Sequence, residues 1–475
     1  MKKHNIHDSD YTLLFSSVKN GNGDVQFIDH ARGRKSKIGL AVDDSEFGCR
    51  VQQEFPSIIA DLIDLAVAIH ATDRLAFQNL RQEQTRICVV LPVRHPELLS
   101  ATPFQDKLSS LLEWATGSRW LFDFSKRLDS GRIIEQPLLS STDPYVSEVT
   151  LWSGGLDALA GLYTRLKANQ EESFMLFGTG SNDNVFDRQD QVFKALQRSF
   201  PNRLNLCQVP IRFSESNQHQ KNKISRARGV VFTLLGAACA YLMGQQVLYL
   251  YENGIGAINL PYRKSAVGLD HSRSVHPLTL LKVSDTISEL LGEEFRVQNP
   301  FLFWTKAEMC KALAEDGRID LPLLTKSCDS PHRQQPIQCG YCSSCILRKQ
   351  ALAASLVEDK TRYIVPHGKK PVGDTGLYLR HMLAQVSALR GLFNDSQASN
   401  SQWEALTRRF LELDDIVDRT AMTENLPSTD MQKHLIRLYQ TYVTEWDAVE
   451  PQISVDLLNQ IINQQTSDDC LFSVQ

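Results

Sequence analysis

The most regular apolar pattern in the chain is PSIIADLIDLAVAIHATDRLAF (56–77). Ile58, Ile59, Leu62, Leu65, Ile69 and Leu75 step by threes and fours, which predicts an amphipathic helix. Strand-like runs follow at TRICVVLPV (85–93) and SRWLFDFS (118–125), on either side of a helical KLSSLLEWA. Residues 1–145 therefore read as an N-terminal α+β accessory domain. From 146 to 365 the pattern changes. Short apolar runs at EVTLWS (148–153), SFMLFG (173–178), RLNLCQVPI (203–211) and QVLYLY (246–251) alternate with LDALAGLYTRLKAN, DRQDQVFKALQRSF and an apolar helix after Arg228. Strands alternating with helices predict βαβ units and an α/β core with a doubly wound parallel sheet. Ligands bind such sheets at the carboxyl ends of the strands. Residues 366–475 read as a helical region: YLRHMLAQVSALRGLF, SQWEALTRRFLELDDIVDRTAM and MQKHLIRLYQTYVTEWDAV share a three/four spacing, and NDSQASNS (394–401) predicts a loop between the first two.

Composition narrows the class. The 475 residues are 42% hydrophobic and 22% charged, which suits folded domains and not wholesale disorder. The net charge of −4 gives no bulk field for nucleic acid. The opening MKKHNIHDSDYTLLF lacks a signal-peptide h-region, and no run of about 18 apolar residues predicts a membrane span. A soluble, cytoplasmic protein is expected.

Chemistry concentrates in two places. In LWSGGLDALAG (151–161), Ser153-Gly154-Gly155 separates an apolar strand from a helix start. Two glycines permit a tight turn with N–H groups facing a ligand, and the helix N-terminus adds partial positive charge. This predicts a phosphate cradle, with Asp157 placed to hold Mg²⁺ or orient the loop; an ordinary strand–turn–helix connection is the alternative. The second place holds four of the ten cysteines. Cys328, Cys339, Cys342 and Cys345 are spaced x10, x2 and x2, whereas Cys49, Cys88, Cys207, Cys239, Cys310 and Cys470 are scattered singly. Four thiolates at knuckle spacing suit a closed, structural Zn²⁺ site. A redox pair or four free thiols are the alternatives, and His332 is a further candidate ligand.

Ser-Gly-Gly-x-Asp after a strand resembles the PP-loop of N-type ATP pyrophosphatases, an HUP-like fold. The family's usual Ser after the Asp is Ala158 here. The loop, the downstream Ser327-Cys328…Cys339-Gly-x-Cys342-x-x-Cys345, Leu347-Arg348, and Pro300 with Thr305-Lys306-Ala307-Glu308 together resemble the 7-cyano-7-deazaguanine synthase family. Thr305 and Glu308 also form a capping box. The resemblance implies that Ser153, Gly154, Gly155, Leu156 and Asp157 surround ATP phosphates. It implies that Arg226 and Arg228, in SRARG, neutralise a leaving pyrophosphate; a solvated basic turn is the alternative. Ser153, Asp157 and Arg228 would be catalytic.

Glu252 and Asn253, at the end of a strand, are placed to bind a guanine-like edge, because a carboxylate accepts two parallel hydrogen bonds. A loop-capping carboxylate is the alternative for Glu252. His271, Arg273 and His276 are further substrate candidates.

The resemblance implies activation of 7-carboxy-7-deazaguanine with ATP and Mg²⁺, then attack by an amine. The long flanks, with Asp61-Leu62-Ile63-Asp64-Leu65-Ala66 and Ala71-Thr72-Asp73-Arg74, resemble enlarged members of Qat and type IV CBASS antiphage systems. That implies a protein acceptor with an N-terminal glycine, either a CD-NTase or a small operon partner. A nitrile synthase using ammonia and an inactive nucleotide-binding scaffold are the alternatives.

Overall fold

The computed structural model describes residues 9–17, 22–49, 55–76, 84–128, 146–180, 183–213, 225–262, 273–329, 338–363, 376–395 and 399–469. Among these, ten strands form one sheet. They are β1 (Tyr11–Phe15), β2 (Asn22–Asp29), β3 (Arg34–Val42), β4 (Arg86–Val93), β5 (Arg119–Lys126), β6 (Glu148–Leu151), β7 (Phe174–Gly180), β8 (Leu204–Phe213), β9 (Val247–Tyr249) and β10 (Arg296–Gln298). Their spatial order is β10-β9-β6-β7-β8-β3-β2-β1-β4-β5.

The N-terminal half carries α1 (Ser45–Cys49), α2 (Ser57–Leu75), α3 (Pro96–Leu99) and α4 (Thr102–Thr116). Helix α2 departs from the amphipathic expectation: it is buried on nearly every side, Asp61, Asp64 and Asp73 included. A helix can bury carboxylates only if each is paired. Asp61 accepts hydrogen bonds from the Arg94 and His95 backbone N–H groups (2.8 and 2.9 Å) and from the Arg94 guanidinium (3.1 Å). Asp64 accepts from Arg94 (2.8 Å) and Arg127 (3.2 Å). Asp73 accepts from the Ser225 hydroxyl (2.6 Å) and the Ala227 N–H (3.0 Å). The apolar stripe and the three carboxylates thus act together: the first fixes burial, and the second fixes what the helix docks against.

The sheet does not stop at the N-terminal half. β3 pairs antiparallel with β8, with Leu40, Ala41 and Val42 opposite Phe213, Arg212 and Ile211. Beyond that seam, β6 to β10 are all parallel. In chain order these five strands stand 5-4-1-2-3, the doubly wound arrangement whose switch point lies between the first and fourth. Helices α5 (Leu156–Ala168), α6 (Asp183–Ser199), α7 (Arg228–Leu242), α8 (Gly254–Ile258), α9 (Pro277–Leu291), α10 (Lys306–Glu315), α11 (Asp320–Leu324) and α12 (Ser343–Ala354) follow. Alternate strand residues feed two cores. Phe174 and Leu176 pack with Leu159, Val192, Met309 and Leu313. Met175 and Phe177 belong to the core that holds Leu234, Val283 and much of α2.

Helices α13 (Leu377–Asp395), α14 (Ser399–Arg409), α15 (Glu412–Thr420) and α16 (Ser428–Asp469) bury a separate core of Leu389, Leu406, Leu435 and Trp446. Three expectations need correction. The stretch 401–422 is two helices, broken at Phe410-Leu411, so that Trp403, Leu406, Leu413 and Ile416 can all reach one core. Of the loop expected at 394–401, the described residues are helical, ending at Asp395 and resuming at Ser399. The strand at 246–251 shortens to Val247–Tyr249, because it pairs only briefly on each side. No described helix is long and apolar enough to cross a membrane.

Removing one partner of a buried ion pair costs about 3–5 kcal/mol. Asp61→Ala should therefore lower unfolding stability by that order in urea titrations. Asp24→Ala, which breaks an exposed pair with Lys37, should cost about 0–1 kcal/mol.

Candidate functional site

At the switch point the chain leaves β6 through Trp152-Ser153-Gly154-Gly155 and leaves β9 through Leu250-Tyr251-Glu252-Asn253. Gly154 is left-handed (φ +69°), and a side chain there would press on the α6 backbone at Gln189. The Gly155 N–H donates to the Ser153 hydroxyl (3.1 Å). Gly155 is the N-cap of α5, and no side chain caps that helix. Its first-turn N–H groups are thus available to an anion.

Asp157, in that first turn, is held from both sides. Its Oδ2 pairs with the Lys306 ammonium at 2.8 Å, their side chains being only 14% and 6% exposed. Its Oδ1 accepts from Asn253 Nδ2 at 2.9 Å. The same Asn253 amide nitrogen donates to Glu252 Oε1 (2.9 Å), and Asn253 Oδ1 caps α8 by accepting from the Gly256 N–H (2.9 Å). Burial alone would lower the Lys306 pKa; Asp157 and then Glu252 outweigh it and raise it. Glu252 has no such excess of positive charge. Burial, then Asp157, pushes its carboxyl up to about 8, with Lys306 pulling back.

A cavity of about 570 Å³ opens over this group. That size suits a small-molecule ligand. The α/β core contributes Ser153, Gly155, Leu156, Asp157, Glu252 and Lys306 to the lining. The segments around the cysteines contribute Lys326, Ser327, Asp329, Ser343 and Ser344, and other stretches Tyr262, Leu377, Tyr378 and His381. The Ser327 hydroxyl is buried with no hydrogen-bond partner, the state expected of a group that awaits a ligand.

The cysteines adjoin the cavity. Four Sγ atoms, from Cys328, Cys339, Cys342 and Cys345, lie within 4.8 Å of one another and are buried. Cys339 and Cys345 are 3.9 Å apart, close to the edge of about 3.8 Å that a tetrahedron of 2.3 Å zinc–sulfur bonds requires. Gly340 is left-handed (φ +84°), which turns the Cys342 N–H onto Cys339 Sγ (3.2 Å). Contact with Cys328 first, then with Cys339, pushes the Cys342 and Cys345 thiols well above their usual range. A divalent cation would relieve that crowding, so the residues present fit Zn²⁺. With all four positions taken by sulfur, the metal would serve structure.

Arg348, fully buried, ties the knuckle to the cavity. It donates to Thr325 Oγ1 (2.6 Å), the Pro322 carbonyl (2.7 Å) and Thr361 Oγ1 (3.0 Å). The segment it fixes, Thr325 to Cys328, also approaches the glycine turn, where the Lys326 N–H reaches the Gly154 carbonyl (3.4 Å).

The candidate residues thus divide. Ser153, Gly154, Gly155, Leu156, Asp157, Glu252 and Asn253 come together. Arg226 and Arg228 lie at the start of α7, outside the cavity lining, where Asp73 holds the intervening backbone. Arg273 stacks 3.7 Å over the Trp114 ring, and His276 is a buried N-cap for α9. Burial, then Arg273, lowers the His276 pKa to about 3. Neither lines the cavity. His271 and His332 lie outside the described residues. Ala158 is buried in the core and does not face the cavity. Sequence reasoning missed Lys306 as a site residue, although a lysine opposing the dipole in a helix's first turn is a detectable anomaly. Tyr262, Lys326, Asp329, Tyr378 and His381 carry no local signal.

A doubly wound sheet, a Ser-Gly-Gly-x-Asp turn at its switch point and an adjoining four-cysteine knuckle are consistent with a QueC-like PP-loop fold. Comparison with known proteins agrees. The family model for "Queuosine biosynthesis protein QueC" matches residues 276–356, from α9 through the knuckle to α12. A 7-cyano-7-deazaguanine synthase of Methanococcus vannielii is 22% identical over 241 residues, covering 46% of this chain and 98% of that protein. One from Pyrococcus abyssi is 25% identical over 240 residues, covering 46% and 97%. One from Syntrophobacter fumaroxidans is 27% identical over 138 residues, covering 29% of this chain; the chain spans about half (55%) of that relative's length.

Two outcomes follow. Cys342→Ser should lower bound zinc below one per chain, by elemental analysis, and lower the melting temperature, because metal affinity is coupled to folding. Glu252 favours its protonated form in the folded state, so it withdraws stability as pH rises from its ordinary value near 4.5 towards about 8. Glu252→Gln should therefore lose less melting temperature than the wild type between about pH 5 and pH 8.

Proposed function

We propose that the chain adenylates 7-carboxy-7-deazaguanine with ATP and passes the acyl group to an amine, the N-terminus of a partner protein. The observation that carries this reading is the cavity, which gathers an uncapped helix start, two lysines and the orphaned Ser327 hydroxyl around one switch point. An anionic nucleotide suits the α5 N-terminus, Ser153, Lys306 and Lys326. Asp157 acts by holding Lys306 and Asn253 in place, and Mg²⁺ would arrive with the triphosphate and spread its charge. Arg228 starts the crossover helix between β8 and β9, at the carboxyl end of the sheet. The family resemblance, not the cavity lining, assigns it and Arg226 to the departing pyrophosphate. Glu252, once ionised, is the acceptor for a two-donor base edge.

The chemistry has two steps. The carboxylate of the deazaguanine displaces pyrophosphate from ATP, and the amine then displaces AMP. The transfer requires water to be kept from the acyl group, which it would otherwise take. The protein acceptor is supported by the surplus of chain: less than half of it accounts for almost the whole length of two synthase relatives. The flanking sequences support a place in cytoplasmic antiphage defence. The names of the relatives favour a second reading, nitrile synthesis from ammonia.

Intact-mass spectrometry of a glycine-initiated partner, after incubation with enzyme, ATP and the acid, should show one added acyl group. Formation of 7-cyano-7-deazaguanine from ammonia, with no change in partner mass, would replace the first reading with the second.

A further inference from the structure

The lining of the cavity comes from different parts of the chain. Lys306 and Asp157 stand at the α5 N-terminus as an ion pair, and the Lys326 N–H reaches the glycine turn. Asp329, Tyr262, Tyr378 and His381 line the same cavity. Asp329 is fixed there by the Ser343 and Ser344 hydroxyls, which donate to it at 3.1 and 2.5 Å. Tyr378 and His381 come from the first turns of α13. They are three residues apart and share a helix face with Leu377.

Helix α13 is a fixed wall. Leu379, Met382, Val386 and Leu389 anchor its opposite side in the C-terminal core. Gln385 donates to the Leu260 and Pro261 carbonyls (3.1 and 3.3 Å), which ties the helix to the stretch that carries Tyr262. By contrast, His381 is half-buried and makes no hydrogen bond or ion pair among the described residues. Tyr378 (41% exposed) and Leu377 (37% exposed) present apolar surface at the same edge.

We propose that α13 and Asp329 form the acceptor subsite of this cavity, with Asp329 attracting the terminal ammonium of a polypeptide, Tyr378 packing on its first residues, and His381 taking the proton from the attacking nitrogen. The inference rests on the reaction proposed above. In that step a bond forms between the amine nitrogen and the acyl carbon. The bond from that carbon to the phosphate oxygen breaks, and AMP leaves with the electron pair. The proton shed by the nitrogen passes to the His381 imidazole. At the glycine turn Asp157 is already committed to Lys306 and Asn253; Asp329, held by two serine hydroxyls, and the His381 imidazole supply a carboxylate and a base to the incoming amine. The polypeptide end is the occupant that uses all of these groups, since ammonia would leave Tyr378 and Leu377 without a contact.

The full-length enzyme tests this with two readouts. Acid-dependent ATP–pyrophosphate exchange reports the first step. Mass-detected acylation of a glycine-initiated peptide, with ammonia as a parallel acceptor, reports the second. For His381→Gln, peptide acylation should fall about a hundredfold further than exchange, and raising the pH should recover part of the loss by supplying free amine. Tyr378→Ala should raise the peptide KM about tenfold or more, with a smaller effect on turnover with ammonia. If the wild type exchanges pyrophosphate but both variants acylate peptide like the wild type, the acceptor subsite is wrong and the adenylation reading stands. Equal losses in exchange and acylation would place these residues in the first step and overturn the assignment. A wild type with no acid-dependent exchange overturns the reaction and the subsite together.

Discussion

The ion pair between Asp157 and Lys306 is the contact on which the rest of the site depends. Both side chains are nearly withdrawn from solvent, and a buried charge persists only when geometry satisfies it. Asn253 takes the other Asp157 oxygen, so three separate stretches, the starts of α5 and α10 and the end of β9, are fixed to one carboxylate. Lys306 in turn depends on how α10 begins. Thr305 and Glu308 close a capping box around it. The C-terminal helix α16 braces that box, with Glu445 accepting from Thr305 (2.5 Å) and Arg437 pairing with Glu308. A helix some 140 residues downstream in sequence thus holds the lysine that holds the loop.

The sheet explains why these stretches meet. With the first and fourth strands of the parallel half side by side, their carboxyl ends splay apart and leave a crevice. The glycine turn fills one lip and Glu252-Asn253 the other. The knuckle is attached to the same crevice through Arg348 and the segment it clamps. A structural metal there would fix the position of Lys326 and Ser327 as well as the fold of the knuckle. The N-terminal half enters differently. It extends the sheet through β3, and it reaches the carboxyl end through α2, whose Asp73 holds the backbone ahead of α7, and through Trp114 of α4, which holds Arg273 and Thr279 at the start of α9.

Much of this was legible from sequence, for physical reasons that differ by element. The parallel strands announced themselves because strands buried on both faces must be apolar throughout. The glycine turn was legible because left-handed backbone narrows the choice of residue, and the knuckle because four thiols at short spacing have few other uses. The capping box at Thr305 was read correctly from two side chains three residues apart. The failures share a cause as well. Arg273 and His276 look like pocket residues in a polar stretch, yet Trp114, more than 150 residues earlier, occupies the guanidinium. Tyr378 and His381 look like surface positions on an amphipathic helix, and only the docking of that helix makes them cavity wall. α2 was read as amphipathic because its carboxylates count as polar in any periodic pattern, although partners on other elements bury them.

The far wall of the cavity bears on what the additional chain is for. A site that handled only a nucleotide and a small planar acid would need the glycine turn, the lysines and Glu252, all of which lie within the α/β core. Those groups leave the far wall free to be anything that excludes water. Here the far wall is a helix from outside that core, anchored by Gln385 and carrying a tyrosine and a histidine that has no hydrogen bond among the described residues. Burying a C-terminal core of this size to position two polar side chains has a physical rationale if the second substrate must be oriented. Ammonia, small and rotationally free, gains little from such a wall. A chain terminus, with one reactive nitrogen and many competing conformations, gains the most, because holding it removes entropy that the reaction would otherwise have to overcome. On the reaction proposed above, an anchored wall of this kind suits a large amine better than a small one, an argument more direct than chain length.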